Sequence, residues 1–254
     1  MIELKTPREI ELMREAGRIV GGLLKRLSSL VRPGMKTKDL DDAARVYLKN
    51  AGAEPAFLGY RGFPATICVS VNEEVVHGIP GERRVREGDL VSIDAGSLLH
   101  GFYADAATTV TVGAVSPSAR RLADTTKRAL DEGIAQAVVG NRISDISHAV
   151  QQVAEREGFG IVREFVGHGI GHALHEDPPI PNFGPPNVGP RLKAGMVLAI
   201  EPMVTMGSHE VQILEDGWTA ITKDRSLAAH FEHTVAVTDH GPEILTTDGG
   251  KGTS

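Results

Sequence analysis

Apolar residues recur at alternating spacings of three and four through Ile10, Met13, Gly17, Val20, Leu24 and Leu27, the period of one buried helical face. Thr6-Pro7 with Glu9 marks the start of that helix: the threonine caps, and the proline takes the first turn, where its missing donor does no harm. Arg32-Pro33-Gly34 stops it. A second helical pattern through Leu40, Ala43, Tyr47 and Leu48 runs out near Gly52. The period then changes. Segments 67–71 and 90–95 are β-branched and apolar, and after a turn around 97–101 the run 108–112 alternates as a strand does. Segments 196–200 and 233–235 read as further strands. The proline- and glycine-rich stretch 178–190 predicts an irregular loop, and 246–254 a mobile tail.

The pattern occurs twice. Ser116-Pro117 repeats the cap-plus-proline signature, and Leu122, Thr125, Ala129 and Ala137 mark another helix. Gly34, Asp39, Leu40 and Ala43 match Gly140, Asp145, Ile146 and Ala149, each 106 positions later, while the ten residues ending in Asp94 match those ending in Glu201, 107 positions later. Such a repeat predicts an α+β fold of two pseudo-twofold-related halves, about 1–113 and 114–245, forming a single domain over 1–245.

Composition narrows the setting. With 254 residues, 41% hydrophobic and 24% charged, the chain can bury a substantial core. Charges every few residues in the N-terminal segment leave no apolar run for a signal peptide or membrane helix, so a cytoplasmic protein is expected. The single cysteine, Cys68, excludes an internal disulfide. A formal net charge of -6 without a basic run argues against nucleic acid as a partner.

The candidate chemistry lies at strand ends. Asp94 and Asp105 sit on consecutive strand-like segments, so a hairpin could pair their carboxylates. An acid after the apolar run 90–93 is desolvated unless something positive meets it. Either aspartate alone is more often a turn cap or ion-pair partner. His168, His172 and His175 fall within eight residues among glycines, which raises the prior for a metal, although the spacing is not that of a zinc-protease helix. Glu201 and Glu232 flank further strands. Four carboxylates with an imidazole suit hard or borderline divalent ions and can neutralise two of them.

These residues, with the stretches 71–80, 167–171 and 216–219, resemble the type I methionine aminopeptidases of the pita-bread hydrolase family over nearly the whole chain. The resemblance implies a pita-bread fold with a central antiparallel sheet flanked by helices. It also implies two divalent ions (Co, Mn, Fe or Zn) held by Asp94, Asp105, His168, Glu201 and Glu232, with Asp105 and Glu232 bridging. A hydroxide shared by the ions would attack the first peptide carbonyl, Glu201 shuttling the proton, His175 stabilising the oxyanion and His77 contacting the scissile amide. Tyr60, Phe63, Cys68, Leu174 and Trp218 would hold the methionine side chain. Implied substrates are new polypeptides that begin with Met and have a small second residue. A monomer near the ribosome is the default expectation. Arg61, Phe63 and Leu174 depart from residues common in relatives. A prolidase or aminopeptidase P, which usually carries a further N-terminal domain, and a metal-free interaction module are the competing readings.

Overall fold

The computed structural model describes residues 1–248. Four helices, α1 (Pro7–Leu30), α2 (Thr37–Asn50), α3 (Pro117–Ala135) and α4 (Ile143–Arg156), pack around one large antiparallel sheet and two small ones. Thr6 caps α1 as its sequence predicts: the Glu9 N–H donates to Thr6 Oγ1 at 3.3 Å, and the Thr6 N–H donates to Glu9 Oε2 at 2.7 Å. The α1 residues Val20, Leu23, Leu24 and Leu27 meet Val69, Val91, Ile93 and Ala104 from the sheet. Leu130 and Ile134 of α3 do the same in the second half, against Leu198, Ile200 and Val235. Among the described residues no helix is long and apolar enough to cross a membrane.

The main sheet runs Glu54–Pro55, Leu90–Leu99, Phe102–Thr111, Glu232–Thr238, Val197–Ile200, Gly167–Gly169 and Glu176–Ile180, with Cys68–Val71 and Gly241–Ile244 pairing onto it. Three details correct the sequence reading. The turn predicted at 97–101 is only His100-Gly101, both at positive φ (52° and 81°), the backbone a two-residue hairpin demands; Ser97 still pairs with Ala104 inside the strands. The stretch 178–190 is not wholly irregular, because 178–180 form part of a strand at the sheet edge, where prolines without a donor are tolerated. Thr246, the first residue of the expected tail, is buried, and its Oγ1 lies 2.9 Å from His233 Nδ1. Residues 249–254 lie outside the described residues. Ala137, used to mark the third helix, sits just past its end.

The repeat is written in main-chain hydrogen bonds. Gly34 N–H donates to the Val85 carbonyl at 2.8 Å, and Gly140 N–H to the Leu192 carbonyl at 3.1 Å; Val85 N–H returns to Met35, and Leu192 N–H to Asn141, each at 2.8 Å. Arg84 donates to the Gly34 carbonyl and Arg191 to that of Gly140. Asp39 and Asp145 each accept from the residue before their helix. Strand register extends the match: Ile93 faces Thr108 as Ile200 faces His233, and Leu90 faces Thr111 as Val197 faces Ala236. Positions in the first strand of each pair are thus 107 apart and those in the second 125 apart. On that mapping Ala107 and Glu232 are equivalents, and they also pair with each other. The pseudo-twofold axis therefore passes between them, at the centre of the sheet.

Candidate metal centre

Five consecutive strands of the main sheet position the five predicted ligands: Asp94, Asp105, Glu232 and His168 on their strands, and Glu201 directly after the end of its own. In the hairpin Asp94 faces Ala107 and Asp105 faces Gly96, so the two acids stand diagonally on one face. Glu232 pairs with Ala107 from the next strand. Glu201 follows Ile200, which pairs with His233, and His168 pairs with Ala199. The hairpin acids are 11 positions apart and Asp105 and Glu232 127 apart, yet strand order alone brings them together.

The electrostatics call for a cation. Oδ1 of Asp94, Oδ1 of Asp105 and Oε1 of Glu232 are buried without any hydrogen-bond partner, an arrangement that costs several kcal/mol per ionised group unless something positive meets it. Burial pushes the Asp94 carboxyl up to about 7. Burial, reinforced by neighbouring carboxylates, holds Asp105, Glu201 and Glu232 well above their ordinary range. Ligand atoms of Asp105, His168 and Glu232 all lie within 4.8 Å of one another. His168 Nε2 lies 3.6 Å from Glu201 Oε1. His168 Nδ1 is 2.9 Å from the Gly169 carbonyl, which can only accept, so Nδ1 carries the hydrogen and Nε2 faces the acids with its lone pair. Burial keeps that ring neutral down to about pH 3. Oxygen-rich donors with one imidazole, orphaned carboxylate oxygens and a correctly presented lone pair all fit divalent metal.

A cavity of about 140 Å³ opens over this cluster, lined by all five and by Tyr60, Phe63, Cys68, His77, Leu174, His175 and Trp218. Every site residue expected from the sequence is therefore gathered. The Tyr60 ring stacks on His175 at 5.3 Å, with its hydroxyl 2.9 Å from His175 Nδ1. Phe63 and Trp218 meet edge to face at 5.1 Å, and His77 stands edge-on to Phe165 and Trp218. Burial lowers His77 to about 4 and lowers His175, with the nearby Arg61 charge adding to the effect. The buried Cys68 thiol is pushed well up, by burial first and then by the acids; it is a wall, not a nucleophile. His172, third of the clustered histidines, turns away. It approaches Glu9 Oε1 at 3.4 Å and packs on the Phe102 ring.

Several contributors were not read from the sequence. Phe57 lines the cavity; Arg61, noted from the sequence only as a departure from relatives, lines it too, its guanidinium resting over the Tyr60 ring at 5.3 Å. His230 is buried with Nε2 unpaired, 3.8 Å from Glu201 Oε2; strand alternation two residues before Glu232 could have revealed it. Thr109 and Thr234 brace the centre symmetrically. Thr109 Oγ1 donates to the His230 carbonyl at 2.8 Å and accepts from the His230 N–H at 3.0 Å. Thr234 Oγ1 makes the same two bonds with Asp105, at 2.7 and 3.0 Å.

Known proteins match this chain in sequence and fold. The model of metallopeptidase family M24 matches residues 11–239. Methionine aminopeptidase 1 of Bacillus subtilis is 54% identical over 97% of this chain and 99% of its own length, and the methionine aminopeptidase of Clostridium perfringens is 53% identical over the same shares. The crystal structure of methionine aminopeptidase from Thermotoga maritima matches with a TM-score of 0.96 at 46% identity, over 97% of this chain and all of that one. Prolidase from Pyrococcus furiosus has the same fold (TM-score 0.79, 24% identity), with 96% of this chain matching 65% of that one. Matched along nearly its whole length by relatives that carry one name, the chain belongs to metallopeptidase family M24, among its methionine aminopeptidases.

Proposed function

We propose that this chain is a metal-dependent aminopeptidase that removes methionine from the free N-terminus of newly made proteins and peptides, with a preference for a small second residue. The observation that carries this reading is the set of orphaned carboxylates under a cavity walled by Tyr60, Phe63, Cys68, Leu174 and Trp218. Aromatic rings and a thiol in the wall of the cavity beside the cluster suit a thioether side chain.

Asp94, Asp105, His168, Glu201 and Glu232 would hold two divalent ions of Co, Mn, Fe or Zn, which when bound supply Lewis acidity and water of lowered pKa. The protein's own groups do the rest. Glu201, whose carboxyl burial holds well above its ordinary range, takes and returns the proton. Tyr60 Oη lies 2.9 Å from His175 Nδ1; in the tautomer where the tyrosine donates there, the neutral ring keeps its hydrogen on Nε2 and can donate it to a developing oxyanion. His77, held neutral by burial, contacts the scissile amide and stabilises the departing amine.

Residues 1–245 act, on this reading, as one catalytic domain of two related halves, 1–113 and 114–245. Its place of work is the cytoplasm, as a monomer meeting new chains near the ribosome. The test is release of free methionine from Met-Ala-Ser and from an acetyl-blocked control by metal-stripped protein, before and after adding Mn or Co. Metal-dependent release from the free N-terminus alone is expected; no release under any metal from folded protein would overturn the reading.

A further inference from the structure

Lys5 is a charged residue with no place in the site above, yet its side chain is only 1% exposed. Its Nζ lies 2.8 Å from Glu176 Oε2 and 3.1 Å from Glu3 Oε2. The other oxygen of Glu176, Oε1, accepts the Ala173 N–H at 3.0 Å. That bond closes the turn between His168 and His175. Glu176 is the residue after His175, and it pairs across the sheet with Gly169, the residue after His168. One carboxylate thus follows His175 along the chain and lies opposite the neighbour of His168 across the sheet, and one buried ammonium holds it.

The surroundings are built for this contact. The Lys5 stem lies against Gly171 so closely that any side chain there would collide with it, and Gly195 meets the Lys5 main chain in the same way. Lys5 N–H donates to the Gly195 carbonyl at 2.7 Å, six residues ahead of Glu201. Tyr103 N–H donates to the Gly171 carbonyl at 2.8 Å, two residues ahead of Asp105. The N-terminal segment is therefore pinned between the histidine turn and the strand that leads to Glu201.

Stability does not explain such a pair well. Burying an ammonium and a carboxylate costs desolvation that their attraction only about repays, and well-packed apolar residues would often serve as well. A buried pair is more use in fixing one geometry. We infer that Lys5 is a positioning residue for the reaction: through Glu176 it locks the 171–176 turn and so sets His175 against Tyr60 over the cavity.

This inference rests on His175 being catalytic, and the experiment separates the two. Methionine release from Met-Ala-Ser is measured for the metal-loaded wild type, Lys5→Met, Glu176→Gln, the double variant, Lys5→Arg and His175→Ala, with metal content and Tm determined for each. Lys5→Met is expected to lower kcat about 10- to 100-fold, the usual loss for a group that orients a catalytic one, with KM within about twofold and metal content unchanged. The double variant should lose no more than the worse single one, because the two act as a unit. Lys5→Arg should regain part of the lost kcat. A kcat for Lys5→Met within about twofold of wild type, or a loss that merely follows metal content or unfolded fraction, overturns the proposal. Should Lys5→Met fail to fold, Glu176→Gln decides by the same criteria. A fully active His175→Ala refutes the role of His175; an inactive His175→Ala beside a fully active Lys5→Met refutes the clamp alone.

Discussion

The two halves of the molecule agree in their scaffold and disagree at their centre. Gly34 and Gly140, Arg84 and Arg191, Asp39 and Asp145, and Thr109 and Thr234 make the same bonds in each half. Where the halves meet, only one acid has a matched acid: Asp94 stands where Glu201 does. The strand register puts Asp105 opposite His230 in the repeat, Glu232 opposite Ala107, and His168 opposite Ser70. A duplicated frame thus supplies rigidity and strand order, while unpaired substitutions beside the axis supply the ligands. Chemistry sits where the symmetry fails.

The comparison can be broken or sharpened by substitution. The largest effect belongs to Glu201→Gln, which keeps the shape and removes the charge and proton acceptor. Methionine release should fall by roughly the 10²–10⁴ that a positioned base supplies, with the circular dichroism spectrum unchanged; normal turnover would remove Glu201 from the mechanism.

Next comes pH. In the unfolded chain the four acids ionise near pH 4, whereas in the fold Asp94 keeps its proton to about pH 7 and the other three keep theirs higher than usual. A raised acid pKa means the folded chain holds protons that the unfolded chain has released, so these groups destabilise the metal-free protein increasingly as pH rises from about 4 through about 7. Divalent metal displaces those protons. The Tm difference between metal-loaded and metal-free protein should therefore widen across that window, with His168, neutral above about pH 3, contributing nothing to the trend. A constant difference would mean that the acids are not the ligands.

A smaller and more pointed test uses the matched threonines. Thr109→Val and Thr234→Val each strip two main-chain partners and should cost about 1–3 kcal/mol of stability, read by urea unfolding. Only Thr234→Val, which frees the Asp105 main chain, should also weaken metal binding. Equal effects on metal would mean that the centre is more symmetric than its ligands suggest. The smallest effect is expected from Gly34→Ala and Gly140→Ala. Both glycines sit at positive φ (86° and 96°) with open space around them, so each change should cost about 1–2 kcal/mol and leave activity alone.

How much of this was legible in the sequence follows from the physics of each feature. Helix starts are local, and Thr6 and Ser116 carry their signals in the adjacent residues; both are N-caps in the fold. The repeat was legible because the turns at Gly34 and Gly88 demand the same residue types as those at Gly140 and Gly195. The hairpin turn was misjudged because His100 takes a positive φ that sequence associates with glycine or asparagine. The four acids and the imidazole could be nominated from strand ends, but their union depends on sheet order, which is non-local. Lys5 and His230 were invisible for the same reason: a lysine near an N-terminus reads as solvated until the fold buries it.

The centre of the account is Glu232, the acid whose symmetry mate is an alanine. Metal-stripped wild type and Glu232→Ala should be titrated with Mn²⁺ in a calorimeter, and methionine release from Met-Ala-Ser followed on the same samples. The account predicts two ions per wild-type chain with activity appearing as they bind, and for Glu232→Ala fewer ions and a loss of release greater than the ~10–100-fold that an outer-shell partner costs. A folded Glu232→Ala that binds two ions and releases methionine at the wild-type rate would contradict it.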